Sequence, residues 1–313
     1  MASSRAFVFP GQGSQKAGMG RDLSDRYPQA KAVFDEVDDA LGEKLSATIF
    51  DGPDETLTLT RNAQPALMAV SMAVLRVMEA RGFDLSSQAV YVAGHSLGEY
   101  SALAAAGAFS VSDAARLLRT RGEAMQKAVP VGEGAMAALL GLDLDAARVV
   151  ADEATAAGGV CTAANDNAPG QVVVSGDRAA VERAVALAKD AGAMKAMLLP
   201  VSAPFHCPLM APAADVMAEA LAGVTITAPK VPLVANVRAS AITDPEEIRA
   251  CLVEQVTGAV RWRESVMYMA GNGVTELIEL GAGKVLTGLA KRIDRSLAGR
   301  AIGTPADIDA WFG

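Results

Sequence analysis

Val90-Tyr91-Val92-Ala93-Gly94-His95-Ser96-Leu97-Gly98-Glu99-Tyr100 decides the reading of this chain. Val90 to Ala93 is a short strand. Leu97 to Ala106 follows as a helix that Gly107 can end. Between them lies Gly94-His95-Ser96-Leu97-Gly98, a G-x-S-x-G match. The pattern alone is weak, because glycine and serine are common. Placed after a strand and opening a helix, it has the context of a nucleophile elbow. The glycines let the backbone turn sharply without a Cβ clash. The serine hydroxyl is thrust outward, and the helix N-terminus offers N–H groups to a developing oxyanion. Ser96 is therefore the candidate nucleophile. The bland alternative is a glycine-rich turn without chemistry.

Working outward, Ala6 to Phe9 reads as a buried strand stopped by Pro10-Gly11 and followed by a loop to Gln15. Asn62 to Gly82 reads as a helix with Pro65 in its first turn. Its stripe of Leu67, Val70, Val74, Val77 and Met78 has helical spacing. Ser112 can cap a further helix reaching about Ala128. The rhythm then changes. Strands at 135–142, 160–164, 171–175 and 194–201 and helices at 145–157 and 177–191 give the order β-α-β-β-α-β, which is ferredoxin-like. Alternation resumes with helix 208–221, strand 231–236, helices 245–256 and 262–270, strand 274–280 and helix 284–297. The fold class expected is α/β: a core with a largely parallel sheet and helices on both faces, carrying an inserted ferredoxin-like subdomain. The expected division is 1–131 with 202–313 as the large catalytic domain and 132–201 as the small one.

A serine nucleophile needs a base. The chain has only two histidines. His95 adjoins Ser96 on the same tight turn, where neighbouring side chains diverge, so packing beside the elbow is its expected role. His206 remains. Pro204 and Pro208 bracket it in a defined loop just after the last strand of the insert, and loops at strand ends gather catalytic side chains. An ordinary surface histidine is the alternative. Cys207 as nucleophile would lack a separate base.

Five segments occur together and in order: Phe9-Pro10-Gly11-Gln12-Gly13-Ser14-Gln15, the elbow with Glu99-Tyr100-Ser101-Ala102, Ala168-Pro169-Gly170-Gln171-Val172, the Pro204-Phe205-His206 loop, and Gly283-Lys284-Val285-Leu286-Thr287-Gly288. Over essentially the whole chain this resembles the malonyl-CoA:acyl carrier protein transacylases of fatty acid synthesis. The acyltransferase domains of polyketide synthases are similar. The resemblance implies a hydrolase-like α/β core and ping-pong transfer of malonyl from malonyl-CoA to the pantetheine thiol of acyl carrier protein, with no metal or other cofactor. It implies Ser96 and His206 as the catalytic pair, Gln12 and the Leu97 N–H as the oxyanion hole, and the Gln255 carbonyl as the group orienting His206. It implies Arg121 as the holder of the malonyl carboxylate. Without the resemblance, Arg121 is one of three arginines in Arg116–Arg121, and a solvated helix face is the plainer reading. Phe205 and Leu97 fit the malonyl-selective pattern. Cys207-Pro208 departs from the Ser or Ala often found there.

Bulk properties narrow the partners. Net charge is −8, which disfavours nucleic acid. Three cysteines without a CxxC pair read as buried free thiols. No signal peptide or membrane span is expected, so the chain is read as cytoplasmic; a monomer is expected. Acyl carrier proteins are acidic, as the resemblance implies, so a local basic patch is needed to meet them. The candidate is the C-terminal helix with Lys284, Lys291, Arg292 and Arg295, three of which are spaced to share one helical face. Three competing readings are a trans-acting polyketide acyltransferase, a serine esterase or thioesterase, and a non-catalytic carrier-binding module.

Overall fold

The computed structural model describes residues 4–313. Its strands are β1 (Arg5–Phe9), β2 (Ala89–Gly94), β3 (Gly134–Leu140), β4 (Cys161–Ala168), β5 (Gln171–Asp177), β6 (Lys195–Leu198), β7 (Leu233–Ala235), β8 (Ser240–Ile242), β9 (Glu276–Leu280) and β10 (Ala298–Ile302). They form two sheets. Six strands in the order β10-β9-β1-β2-β7-β8 make the larger one, which is parallel except for the antiparallel β7–β8 edge.

Alternation along β1 explains why helices cover both faces. Phe7 and Phe9 enter one core with Leu67 and Leu103, while Ala6 and Val8 enter another with Trp262 and Val266. Successive side chains on a strand point to opposite faces, and here both are apolar. The helices Thr60–Ala80 and Gly98–Ala105 line the first face, and Trp262–Gly271 and Val285–Ile293 the second.

The other sheet is antiparallel, in the order β4-β5-β3-β6. With the helices Leu144–Ala156 and Arg178–Asp190 it has the β-α-β-β-α-β sequence and a core of its own, built on Ala137, Leu139, Val150, Val172 and Val181. Main-chain bonds between Asp166 and Val260 and between Val260 and Ala164, with the Arg263–Asp166 ion pair at 2.8 Å, tie β4 to the larger unit. The α/β class with a parallel core and an inserted antiparallel unit is thus as read from sequence.

Several local readings change. The helix read from Asn62 begins at Thr60, so Pro65 lies inside it rather than in its first turn. Ser110, not Ser112, caps Val111–Ala128, its side chain accepting from the Asp113 N–H. The basic helix is shorter than expected. It spans Val285–Ile293, with Lys284 at its N-cap and Asp294 as an extended C-cap. The Asp294 carboxylate accepts from the Ser296 N–H and hydroxyl at 2.8 and 2.6 Å, a local turn that competes with another helical turn. Arg295 is therefore off the helix, and Lys284, Lys291 and Arg295 do not share one helical face. The helices Arg21–Arg26, Pro28–Leu41, Leu45–Asp51, Asp54–Thr58 and Leu85–Gln88, the strands β8 and β10 and the final helix Pro305–Phe312 were not foreseen. All three cysteines are free and buried, as expected. Among the described residues no helix is long and apolar enough to cross a membrane.

Candidate active site

β1, β2 and β7 are neighbours, so the loops leaving their C-terminal ends converge. These loops carry Gln12, Ser96 and Asn236. In open parallel sheets the crevice outside the strand C-termini is the natural ligand site. Here the inserted unit closes it from above. The resulting cleft, roughly 480 Å³, is lined by Gln12, Ser96, Arg121, Phe205 and His206 from the large unit and by Met136, Asn165 and Val173 from the small one.

The elbow is built by crowding. A Cβ on Gly94 would lie 1.9 Å from the Gly98 carbonyl carbon, and one on Gly98 would lie 2.2 Å from the Phe9 carbonyl oxygen. Neither glycine has a positive φ. The left-handed residue of the turn is Ser96 itself, at φ 52°. A non-glycine residue there is strained and persists only when its surroundings hold it. The Asn236 side chain does so. Its Oδ1 accepts from the Ser96 N–H at 2.8 Å, and its Nδ2 donates to the Gly94 carbonyl at 2.7 Å.

Ser96 Oγ stands 2.8 Å from His206 Nε2. His206, also left-handed at φ 59°, has Nδ1 2.9 Å from the Gln255 carbonyl. A carbonyl only accepts, so Nδ1 carries the proton and Nε2 presents its lone pair to the serine hydroxyl. Burial, then the nearby Arg121 charge, pushes the His206 pKa down to about 3. The ring is therefore neutral at physiological pH. His95 takes no part in this pair. Its Nε2 lies 2.8 Å from Asn167 Oδ1, and its ring packs against Trp262.

Arg121 is 1% exposed. It donates to Gln64 Oε1 at 2.7 Å, Gln255 Oε1 at 2.8 Å and Ser96 Oγ at 3.1 Å. Its Nε has no partner. All three acceptors are neutral, so a buried guanidinium faces the nucleophile with no carboxylate bonded to it. Gln12 is fixed through Thr60, whose hydroxyl donates to Gln12 Oε1 at 3.0 Å and accepts from Gln64 Nε2 at 2.9 Å. That leaves Gln12 Nε2 without an acceptor among the described residues. The Leu97 N–H likewise donates to no described protein group, and both residues line the cleft beside Ser96. Among the described residues no group of His, Cys, Asp and Glu is arranged to hold a metal.

Lys284, Lys291, Arg292 and Arg295 lie outside the cleft lining. All four are exposed, and Arg292 donates to Gln171 of the inserted unit at 3.0 Å. Sequence reasoning missed Asn236, Gln64, Glu99 and the Gln255 side chain. Glu99 was in plain view within the elbow segment, and Asn236 stands directly after a strand. Their partners are about 140 residues apart in the chain, so no local signal joins them.

A neutral imidazole facing a serine hydroxyl can pass an acyl group through that oxygen, and a buried cation beside it favours an acyl group bearing a negative charge. This arrangement fits a serine acyltransferase. The chain belongs to the acyl transferase domain family, which matches residues 6–296. It is 49% identical to the malonyl CoA-acyl carrier protein transacylase of Bacillus subtilis (strain 168), covering 97% of this chain and 95% of that one. Among solved structures it superposes on the acyl-carrier-protein S-malonyltransferase of Bartonella henselae with a TM-score of 0.96, at 57% identity and 99% and 98% coverage. It also superposes on a malonyl-transacylase in complex with its type II polyketide synthase acyl-carrier protein, with a TM-score of 0.95, 44% identity and 98% coverage of each chain.

Proposed function

We propose that this protein moves the malonyl group of malonyl-CoA to the pantetheine thiol of holo-acyl carrier protein, supplying extender units for fatty acid synthesis. Ser96 Oγ attacks the thioester carbonyl while His206 Nε2 takes its proton. Gln12 and the Leu97 N–H stabilise the oxyanion. The C–S bond then breaks, and the departing CoA sulfur takes the proton from His206. In the second half-reaction the carrier thiol gives its proton to His206 and attacks the malonyl-serine carbonyl, and Ser96 leaves reprotonated. The Gln255 carbonyl stands where a triad acid would.

The observation that carries this reading is Arg121, a 1%-exposed guanidinium 3.1 Å from the nucleophile with only neutral acceptors. A guanidinium fork matches a carboxylate bidentately, and malonyl brings one where acetyl does not. Once there, that carboxylate offsets the Arg121 charge, the lesser cause of the low His206 pKa, while burial, the larger one, still keeps the ring neutral. Intact mass after incubation with malonyl-CoA tests the reading. Wild type gains one malonyl unit and Ser96→Ala gains none. Equal labelling of both would overturn it.

A relative solved with a polyketide carrier favours a second reading, service to a polyketide synthase. Turnover with fatty acid and polyketide carriers in competition separates the two. Residues 132–201 act as a small domain over the large one, 1–131 with 202–313, and the enzyme works as a cytoplasmic monomer. Lys284, Lys291, Arg292 and Arg295 steer the carrier as a mixed patch of helix and flanking loop.

A further inference from the structure

Glu99 is fully buried beneath the elbow, yet no step of the transfer reaction uses it. Its Oε2 accepts from the Asn236 N–H and from Gln255 Nε2, both at 3.0 Å, and its Oε1 has no partner. The Gln255 amide has only one workable orientation. Oε1 accepts from Arg121 at 2.8 Å, and Nε2 donates to Glu99 and, at 3.0 Å, to the Ser96 carbonyl. Reversing it would point an NH2 group at a guanidinium and a carbonyl at two acceptors. Glu99 and Arg121 are thus a buried anion and cation joined through one amide, and the same amide carries the main chain of the nucleophile.

We propose that Glu99 is the resting counter-charge of Arg121 and takes up a proton from solvent when a malonyl group docks, making malonyl binding proton-linked. The inference rests on the reading of Arg121 as the malonyl clamp. With the cleft empty, one carboxylate balances one guanidinium. With malonyl bound, two carboxylates would share that guanidinium in a water-poor site, and like charges there disfavour ionisation of one of them. The substrate carboxylate bonds Arg121 directly. Glu99 reaches it only through Gln255, so Glu99 is the group that gives way, and its unpartnered Oε1 is where the proton goes. The proton returns to solvent when malonyl leaves on the carrier arm.

The surroundings agree. Burial holds the Glu99 carboxyl up to about 7, against the lowering effect of its bonds to Asn236 and Gln255 and of the Arg121 charge. The other titratable groups facing it are Tyr100 on its own helix, Cys251 on the helix Pro245–Thr257, and His206 beyond the Gln255 carbonyl. Burial raises Tyr100 and takes Cys251 to about 11, while His206 lies at about 3. None of them titrates between pH 6 and 8. Glu99 is a positioning residue, not a catalytic one.

The test is calorimetric titration of Ser96→Ala, which binds but cannot be acylated, with malonyl-CoA and acetyl-CoA in buffers of differing ionisation heat. Acetyl-CoA carries the same phosphates and serves as the control. At pH 8 malonyl-CoA should take up close to one proton more than acetyl-CoA, and at pH 6 little more. The malonyl Kd should weaken up to about tenfold per pH unit above 7. Adding Glu99→Gln, whose neutral amide copies the protonated acid, should abolish the extra proton and make malonyl bind more tightly than the parent at pH 8.5. Malonyl preference without an extra proton at pH 8 would overturn the proposal and leave the clamp standing, and the measurement needs no Glu99 variant. An extra proton that survives Glu99→Gln would overturn it too. Equal affinity for malonyl-CoA and acetyl-CoA would bring down the clamp itself, and the proposal with it.

Discussion

His206 carries its proton on Nδ1, and burial, then the Arg121 charge, holds its pKa down to about 3, which sets the expected acid side of the pH profile. Catalysis needs the ring neutral, so acylation of Ser96 should stay flat from pH 7 to about 5. An ordinary histidine would lose its base form through pH 6.5. Single-turnover acylation across that range checks this, and a midpoint near 6.5 would contradict it. Stability has the same sign. A histidine whose folded pKa is depressed contributes fully above its unfolded pKa, and that contribution fades as pH falls from about 6.5 toward 3. Arg121 gives a second prediction at this scale. Truncating one partner of a buried, hydrogen-bonded charge pair costs about 2–5 kcal/mol. Arg121→Ala should therefore lower the ratio of malonyl to acetyl transfer by roughly 30-fold to several thousand-fold. The ratio of kcat/KM values is the measurement, and an unchanged ratio would contradict the clamp.

Among the elements, the turn from β2 into Gly98–Ala105 is the most tightly specified. Gly98→Ala would drive a Cβ to within 2.2 Å of the Phe9 carbonyl oxygen, which belongs to the central strand and cannot yield. Overpacking of this kind costs about 1–3 kcal/mol or more, and it displaces the nucleophile as well. Both the Tm and the Ser96 labelling rate should fall. Gly288 is the contrasting case. It sits inside Val285–Ile293 with nothing within 4 Å of a would-be Cβ. Gly288→Ala should stabilise by about 0.4–1 kcal/mol, since it restricts the unfolded chain at no steric cost. Thermal melts of the two variants moving in opposite directions would support this account. The elbow was legible because strand, glycine, serine and helix are contiguous. The end of the basic helix was not, because Asp294 ends it with a side-chain turn that a charge pattern does not reveal. The last helix had a readable signature in Thr304-Pro305-Ala306-Asp307, a capping box with Pro at its first position.

At the scale of the molecule, charge governs the meeting with a carrier protein. The chain has a net charge of −8, so a local basic patch has to work against the whole. Lys291→Glu with Arg295→Glu should raise the apparent KM for acyl carrier protein at low salt. The effect should shrink as salt screens exposed charges beyond about 8 Å. Ser96 acylation by malonyl-CoA should not change. Wild-type carrier kinetics in the double variant at low salt would place docking elsewhere. Sheet order governs the site itself. Because β1, β2 and β7 are adjacent, Gln12, Ser96 and Asn236 meet although they are far apart in the chain. Local sequence pattern was enough for the α/β class, the inserted antiparallel unit, the elbow and, with only two histidines, the selection of His206 as the candidate partner of Ser96, which the structure places 2.8 Å away. Each depends on local periodicity, turn chemistry or elimination. Only packing shows how Arg121, already marked by the resemblance, faces the serine, that Asn236 holds the strained Ser96 backbone, and that the Gln255 side chain joins Arg121 to Glu99. Those relations span roughly 25 to 160 residues of chain, and a buried polar group finds its partners through packing, which no local pattern encodes.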